Sequence, residues 1–248
     1  SKERGFLGGE GARDVETGMT EISKEVEDPQ TKVSVFERAK ASNAVEAVSA
    51  KDNKEMMEKS TLTIGSMGSG SDYSSFIQHL GIPSLDLGYG GEDGGGEYHS
   101  IYDSYDDYRR FKDPTFEYGV ALAKTAGRAA LRMADADALP FDFRSLYKTV
   151  NGFVKDLMSK TDQMRETTAT ENEIIHSNFY ALANNPTEKR QVPSPKAEVP
   201  YIDFSPLQNA LGDLEKTTNQ LSEKWNRSVM NNTDHDAMNK ALYRAEQQ

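Results

Sequence analysis

Met19, Ile22 and Val26 recur three and four residues apart, the spacing of one apolar stripe on a short helix, and Asp28-Pro29 ends it. Val33, Val35 and Phe36 open a second short apolar piece. Residues 40–60 are mostly Ala, Lys, Glu and Asp without a clear period and predict an exposed helix or loop. Thr61-Leu62-Thr63-Ile64 alternates and is rich in β-branched residues, which predicts a strand. A helix follows, with Ser71 or Asp72 as N-cap, Phe76, Ile77 and Leu80 as its buried face and Gly81 as C-cap. Ile82-Pro83-Ser84-Leu85-Asp86-Leu87 predicts a second strand, with Pro83 at its start, where a missing N–H costs least. Strand, helix and strand joined by short links predict a parallel α/β unit, whose sites form beyond the carboxyl ends of its strands.

Asp113-Pro114 has the form of a helix start, an N-cap followed by Pro at the first helical position. Phe116, Val120, Ala123, Ala126 and Ala130 are the expected inner face of that helix, and Pro140 is the expected domain boundary. From Asp142 the character changes. Leu146, Val150, Phe153, Val154, Leu157, Met158 and Met164 line one helical face, and Glu171–Ala183 also reads as helical. Five prolines within 184–206 predict a long loop. Leu207, Leu211, Leu214, Thr218, Leu221, Trp225 and Val229 recur at four and three, a near-heptad seam, and a last helix starts near Asp236. The expected organisation is an α/β domain over residues 1–141 and an all-helical bundle over 142–248, whose natural job is packing against a partner or a second copy.

Glycine punctuates the first part. Residues 1–13 carry Gly5, Gly8, Gly9 and Gly11, which suits a loop, and Gly65–Ser71 and Gly88–Gly96 are denser still. Each glycine loses extra backbone entropy on ordering, so these stretches predict loops wrapped closely around something. The second runs into Tyr98-His99, then Tyr102, Tyr105 and an acidic run, the make-up of a site on a loop. His79 and His176 lie on predicted helices and read as structural, and His235, in Asp234-His235-Asp236 at a helix start, reads as an exposed cap neighbour. His99 is the one candidate metal ligand, whereas a zinc site needs three or four. Gly68-Ser69-Gly70-Ser71 at a helix start has the shape of a phosphate cradle but lacks the Gly-Lys-Ser/Thr of a P-loop.

Composition narrows the partners. In 248 residues, 29 basic and 40 acidic side chains leave a net charge of −11, without a Lys/Arg cluster interleaved with aromatics, which argues against nucleic acid. Cysteine is absent, so disulfides and thiolate metal sites are excluded. No apolar run reaches the roughly 18–20 residues of a membrane span. The first residue is Ser1, without Met or signal peptide, so a processed or cut chain is expected.

Taken in order, several stretches resemble the glutamate carboxypeptidase II and transferrin receptor family. Leu62–Tyr73 is similar to its strand-to-helix turn. Gly81-Ile82-Pro83-Ser84, Tyr98-His99-Ser100-Ile101-Tyr102-Asp103-Ser104-Tyr105, Phe111-Lys112-Asp113-Pro114 and Leu139-Pro140-Phe141-Asp142 match its later signatures. The resemblance covers about Gly5–Asp142, and the helical half is more loosely similar to the family's dimerisation domain.

The family's peptidases are dizinc exopeptidases, and the resemblance implies the roles that follow. His99 is one zinc ligand, Tyr98 helps to stabilise the tetrahedral intermediate, and Ser69, Gly70 and Ser71 line the substrate cleft. Two zinc ions roughly 3.5–4 Å apart polarise the peptide carbonyl and generate hydroxide, with a glutamate as base. That glutamate and the remaining zinc ligands are expected upstream of Ser1 and part of the substrate pocket beyond Gln248, so this chain alone is expected to be inactive. Asp86 and Gly88 stand where glutamate carboxypeptidase II has arginines for an acidic substrate, so that preference is not carried over. The resemblance also implies a homodimer through the helical domain and a secreted, periplasmic or membrane-anchored setting. Two rival readings stay open: a non-enzymatic helical homodimerisation module, and a phosphate-binding module at Gly68–Asp72.

Overall fold

The computed structural model describes residues 5–12, 15–91, 96–188, 191–230 and 235–245, with side chains 226–230, 243 and 245 left aside. The chain divides into two compact units. One comprises the residues up to Leu146 together with those from Gln220; the other is Tyr147–Asn219.

In the first unit, strand β1 (Gly5–Gly11) is followed by α1 (Glu16–Glu25), α2 (Val35–Glu46) and α3 (Ala50–Glu58), then a π-helical turn at Ser75–Leu80 and strand β2 (Leu85–Gly91). A short α4 (Tyr105–Asp107) continues as a second π-helical turn, Tyr108–Lys112, before α5 (Glu117–Ala134). The expected stripe Met19, Ile22, Val26 is fully buried, and it meets Val35, Phe36 and Ala39 of α2 with Leu62 and Ile64. Ser34 starts α2 with a capping box: its Oγ accepts from Glu37 N, while the Glu37 carboxylate accepts from Ser34 N.

The sheet departs from the expected parallel unit. β1 and β2 pair antiparallel, with Gly9 opposite Leu87 and Gly11 opposite Leu85. The expected strand 61–64 keeps its alternation, Leu62 and Ile64 buried and Thr63 exposed, but joins the sheet through a single parallel bridge between Glu10 and Gly65. The glycine-rich stretches 5–11 and 88–91 are strands and not loops; residues 92–95 of the second lie outside the described residues. The physical reason is cross-strand packing. A Cβ on Gly9 would lie 2.9 Å from Leu87 Cδ2, and one on Gly11 2.5 Å from Leu85 Cδ2. The leucines of β2 cover their glycine partners, and that gain offsets the entropy that glycine loses.

Two other expectations are corrected. Gly81 is the expected left-handed C-cap, at φ 63, but Ser74 stands at the N-cap without a side-chain bond, and Phe76 and Leu80 are half exposed. The wider π turn takes these residues off the 3.6-residue stripe on which a buried face depends. α5 begins at Glu117, later than Asp113-Pro114 predicts, after Phe116 in the left-handed region at φ 56. Its buried residues are Tyr118, Ala121, Thr125 and Ala129, whereas Val120, Ala123, Ala126 and Ala130 are exposed. The inward face carries hydroxyls that have buried partners: Tyr89 and Thr125 share a hydrogen bond of 3.0 Å between their oxygens, and Tyr118 OH donates to Asp28 Oδ2 at 3.1 Å.

Helix α6 (Phe143–His176) is followed by Asn178 at φ 61 and α7 (Phe179–Ala183), and then by described residues 184–188 and 191–204 without helix, whereas Ser205 and Pro206 of the expected loop open the next helix. α8 (Ser205–Met230) and α9 (His235–Ala245) complete the chain. Within the second unit Val154, Thr161, Leu211 and Thr218 are buried. The proline-rich stretch is tied to α6 by reciprocal bonds: Asn172 Nδ2 donates to Lys196 O and Lys196 N to Asn172 Oδ1, at 2.9 and 2.8 Å. Of the expected seam, Leu211 and Thr218 are buried and Leu207 is exposed; the side chain of Val229 lies outside the described residues. In the first unit, Asn239 of α9 accepts from Leu139 N at 3.0 Å and donates to Asp137 O at 2.8 Å.

Candidate functional site

Tyr98 and His99 lie on a turn between β2 and α4, closed by Ser100 N donating to Glu97 O at 2.8 Å and Asp103 N to Ser100 O at 3.1 Å. His99 is at φ 64, a left-handed conformation uncommon for a residue with a Cβ. Its ring stacks on that of Tyr98, with centroids 3.8 Å apart and planes 25° from parallel. Both side chains are exposed, Tyr98 at 72%. An exposed imidazole backed by an aromatic face can present a nitrogen to a ligand arriving from solvent.

The turn is bracketed by acids that reach inward. Lys112 Nζ lies 3.0 Å from Glu97 Oε1 and 3.6 Å from Asp103 Oδ1, and its side chain is only 11% exposed. Lys112 closes the second π turn. The next residue, Asp113, is fully buried, and its Oδ2 accepts from Tyr118 N and Gly119 N at 3.0 and 2.9 Å. Asp113 therefore caps α5 from a distance, although it does not start the helix. Its Oδ1 is buried without a partner among the described residues. Sequence reasoning missed Lys112 as a site residue.

Ser69, Gly70 and Ser71 are all exposed, and Gly70 is at φ 93. Gly70 N donates to Ser74 Oγ at 3.2 Å and Gln78 Nε2 to Gly68 O at 3.0 Å, so the loop is tied to the π turn that follows it. Asp86 and Gly88 are exposed on β2. Among the described residues no three His, Cys, Asp or Glu side chains converge to hold a metal ion. The described residues do not by themselves fit a zinc ion, since His99 offers a single nitrogen.

A second cluster is buried. Asp28 Oδ1 accepts from Gln30 N, Thr31 N, Thr31 Oγ1 and Arg38 Nη1, and its Oδ2 from Arg38 Nη1 and Tyr118 OH. The Arg38 guanidinium lies over the Phe6 ring, 5.0 Å from its centroid. Burial by itself raises the Asp28 carboxyl, but Arg38 and Thr31 together hold it below its ordinary value. Burial and the Asp28 charge push the Tyr118 phenol up to about 12. With every lone pair engaged, this cluster holds α1, α2 and α5 together and offers no open position to a substrate.

No family model matches the chain. Curated proteins do. It is 41% identical over 90 residues to a probable glutamate carboxypeptidase LAMP1 of Arabidopsis thaliana, covering 36% of this chain and 13% of that protein. It is 36% identical over 99 residues to aminopeptidase NAALADL1 of Rattus norvegicus, covering 38% and 13%, and 37% identical over 91 residues to a probable glutamate carboxypeptidase VP8 of Zea mays, covering 37% and 12%. The matched stretch is thus about an eighth of the length of these relatives. Over that stretch the matches support the resemblance to glutamate carboxypeptidases and related aminopeptidases. No described helix is long and apolar enough to cross a membrane.

Proposed function

We propose that this chain is part of a zinc-dependent exopeptidase acting on peptides. The observation that carries the reading is its 36–41% identity to proteins named glutamate carboxypeptidase or aminopeptidase. The exposed, stacked Tyr98–His99 pair supports it by offering a ready donor atom at the position the resemblance singles out. In this reading His99 is one zinc ligand of a two-zinc centre, and the other ligands and the base come from outside the described residues. The Tyr98 phenol is a hydrogen-bond donor for the negative charge that develops on the attacked carbonyl oxygen. Ser69, Gly70 and Ser71 line the substrate cleft with backbone and hydroxyl groups. The described chain alone, with His99 as its one candidate zinc ligand, is expected to be inactive.

The test is made on protein produced from the whole natural reading frame. Zinc content is measured with and without His99→Ala, beside hydrolysis of short peptides. His99→Ala is expected to lower zinc content and to reduce kcat at least 100-fold; unchanged zinc content ends the ligand role.

Exposed side chains on α6 support a homodimer as well. Phe153, Leu157 and Met164, at 58%, 51% and 53% exposure, lie four and seven residues apart on one helical face and are left open by the described residues.

A further inference from the structure

We infer that Lys112 is the positioning residue of the Tyr98–His99 turn, a role that rests on the proposed use of that turn. The turn buries little of itself: Tyr98, Ile101 and Tyr102 are 72%, 89% and 72% exposed, so apolar packing does not hold it in place. Yet it has a defined conformation with His99 in the left-handed region, which costs free energy for a residue with a side chain. What fixes it lies at its two ends. Glu97 precedes Tyr98, Asp103 closes the turn, and one ammonium receives both, at 3.0 and 3.6 Å.

The geometry favours a strong hold. The Lys112 side chain is 11% exposed and that of Glu97 17%, so solvent screens this pair less than an ordinary surface pair. The mount is rigid as well. Asp113 N donates to Tyr108 O at 3.0 Å, and the Asp113 carboxylate is bound to two backbone N–H groups of α5. The chain of contacts therefore runs from α5 through Asp113 and Lys112 to both ends of the turn. Losing the ammonium removes the hold that both ends share, so the turn is expected to loosen and the Tyr98–His99 stack to be lost. The role belongs to a charge on a buried stem, which arginine can reproduce and methionine cannot.

The test reads the stack directly, by proton–carbon NMR of the histidine rings in the metal-free chain, with His99→Gln assigning the His99 signal. In the wild type, His99 is expected to show a ring-current shift and cross-relaxation to Tyr98. Lys112→Met is expected to abolish both while the signals of His79, His176 and His235 stay in place, and Lys112→Arg is expected to restore them. Persistence of the shift and cross-relaxation in Lys112→Met overturns the assignment, as does displacement of all four histidines together. If Lys112→Met does not fold, the double variant Glu97→Gln/Asp103→Asn decides in the same way: loss of the His99 signature supports the role and its retention overturns it. Because the readout is taken without metal, it is independent of whether His99 ligates zinc, which zinc content of the whole protein tests separately.

Discussion

Arg38 places one guanidinium nitrogen against both carboxylate oxygens of Asp28, at 2.9 and 2.8 Å, and the same nitrogen meets the hydroxyl of Tyr118. The carboxylate is 1% exposed and the guanidinium side chain 13%. Asp28 lies just after α1, Arg38 on α2 and Tyr118 on α5, so one buried ion pair joins two successive helices to a third that is distant in sequence. A buried pair of this kind adds little net stability over an apolar substitute, but breaking it on one side leaves a charge without compensation.

Asp28→Asn is accordingly expected to lower stability by about 3–5 kcal/mol, because Arg38 keeps its charge and loses its anion. The double variant Asp28→Asn/Arg38→Met should lose less than the sum of the two single changes. Urea unfolding of the four proteins of the cycle measures this, and additivity within error refutes the coupling.

Stability should fall at both ends of the pH scale. The Asp28 carboxyl is held below its ordinary value of 3.8, so its contribution is complete above that value and is lost as pH falls below it. The Tyr118 phenol is raised from 10.0 to about 12, so its contribution is complete below pH 10 and is lost as pH rises through 12. Tyr118→Phe should weaken the alkaline loss and keep the acid one. A remnant should persist from Tyr89 and Tyr147, whose phenols burial also raises. Melting temperature against pH for both proteins is the measurement, and parallel alkaline limbs contradict the assignment to Tyr118.

The glycines of β1 are not equivalent. Gly11→Ala should destabilise by about 1–3 kcal/mol, since its Cβ falls 2.5 Å from Leu85 Cδ2 and 3.1 Å from the Ser84 carbonyl oxygen. Gly8→Ala meets nothing within 4 Å and should be neutral or stabilise by about 0.4–1 kcal/mol through the unfolded state. Thermal unfolding of the two variants side by side tests the packing account, which equal effects would contradict.

If the exposed face of α6 joins two copies, the double variant Phe153→Glu/Leu157→Glu should sediment as a monomer at concentrations where the wild type is a dimer, with helix content unchanged. A wild type that is monomeric at 100 times the assay concentration refutes the homodimer.

Much of the helical architecture was legible in the chain. The stripe Met19, Ile22, Val26, the breaker Asp28-Pro29 and the C-cap Gly81 are local signals, and each stands as read. The described residues between α7 and α8 are without helix, as their prolines predict, although the fifth proline, Pro206, lies in the first turn of α8. Of the candidate site, the turn that presents Tyr98 and His99 was legible from its composition, but Lys112 was not. A lysine's partners depend on where Glu97 and Asp103 fold back, and residue spacing does not record that. The inner face of α5 was misplaced because Tyr118 and Thr125 carry polar tips, which read as outward until Asp28, Arg38 and Tyr89 are seen to receive them.

By itself the sequence determined the buried stripe of α1, the cap at Gly81, the alternation at 61–64, and the resemblance carried by a stretch of about ninety residues, because periodicity, capping and motif order are properties of neighbouring residues. The tertiary structure decided that glycine-rich strands pair antiparallel under the leucines of β2, that Asp28 and Arg38 join three helices, and that one lysine holds both ends of the Tyr98–His99 turn. Each of these needs groups from segments far apart in the chain to meet at hydrogen-bonding or van der Waals distance, and only the folded arrangement specifies such meetings.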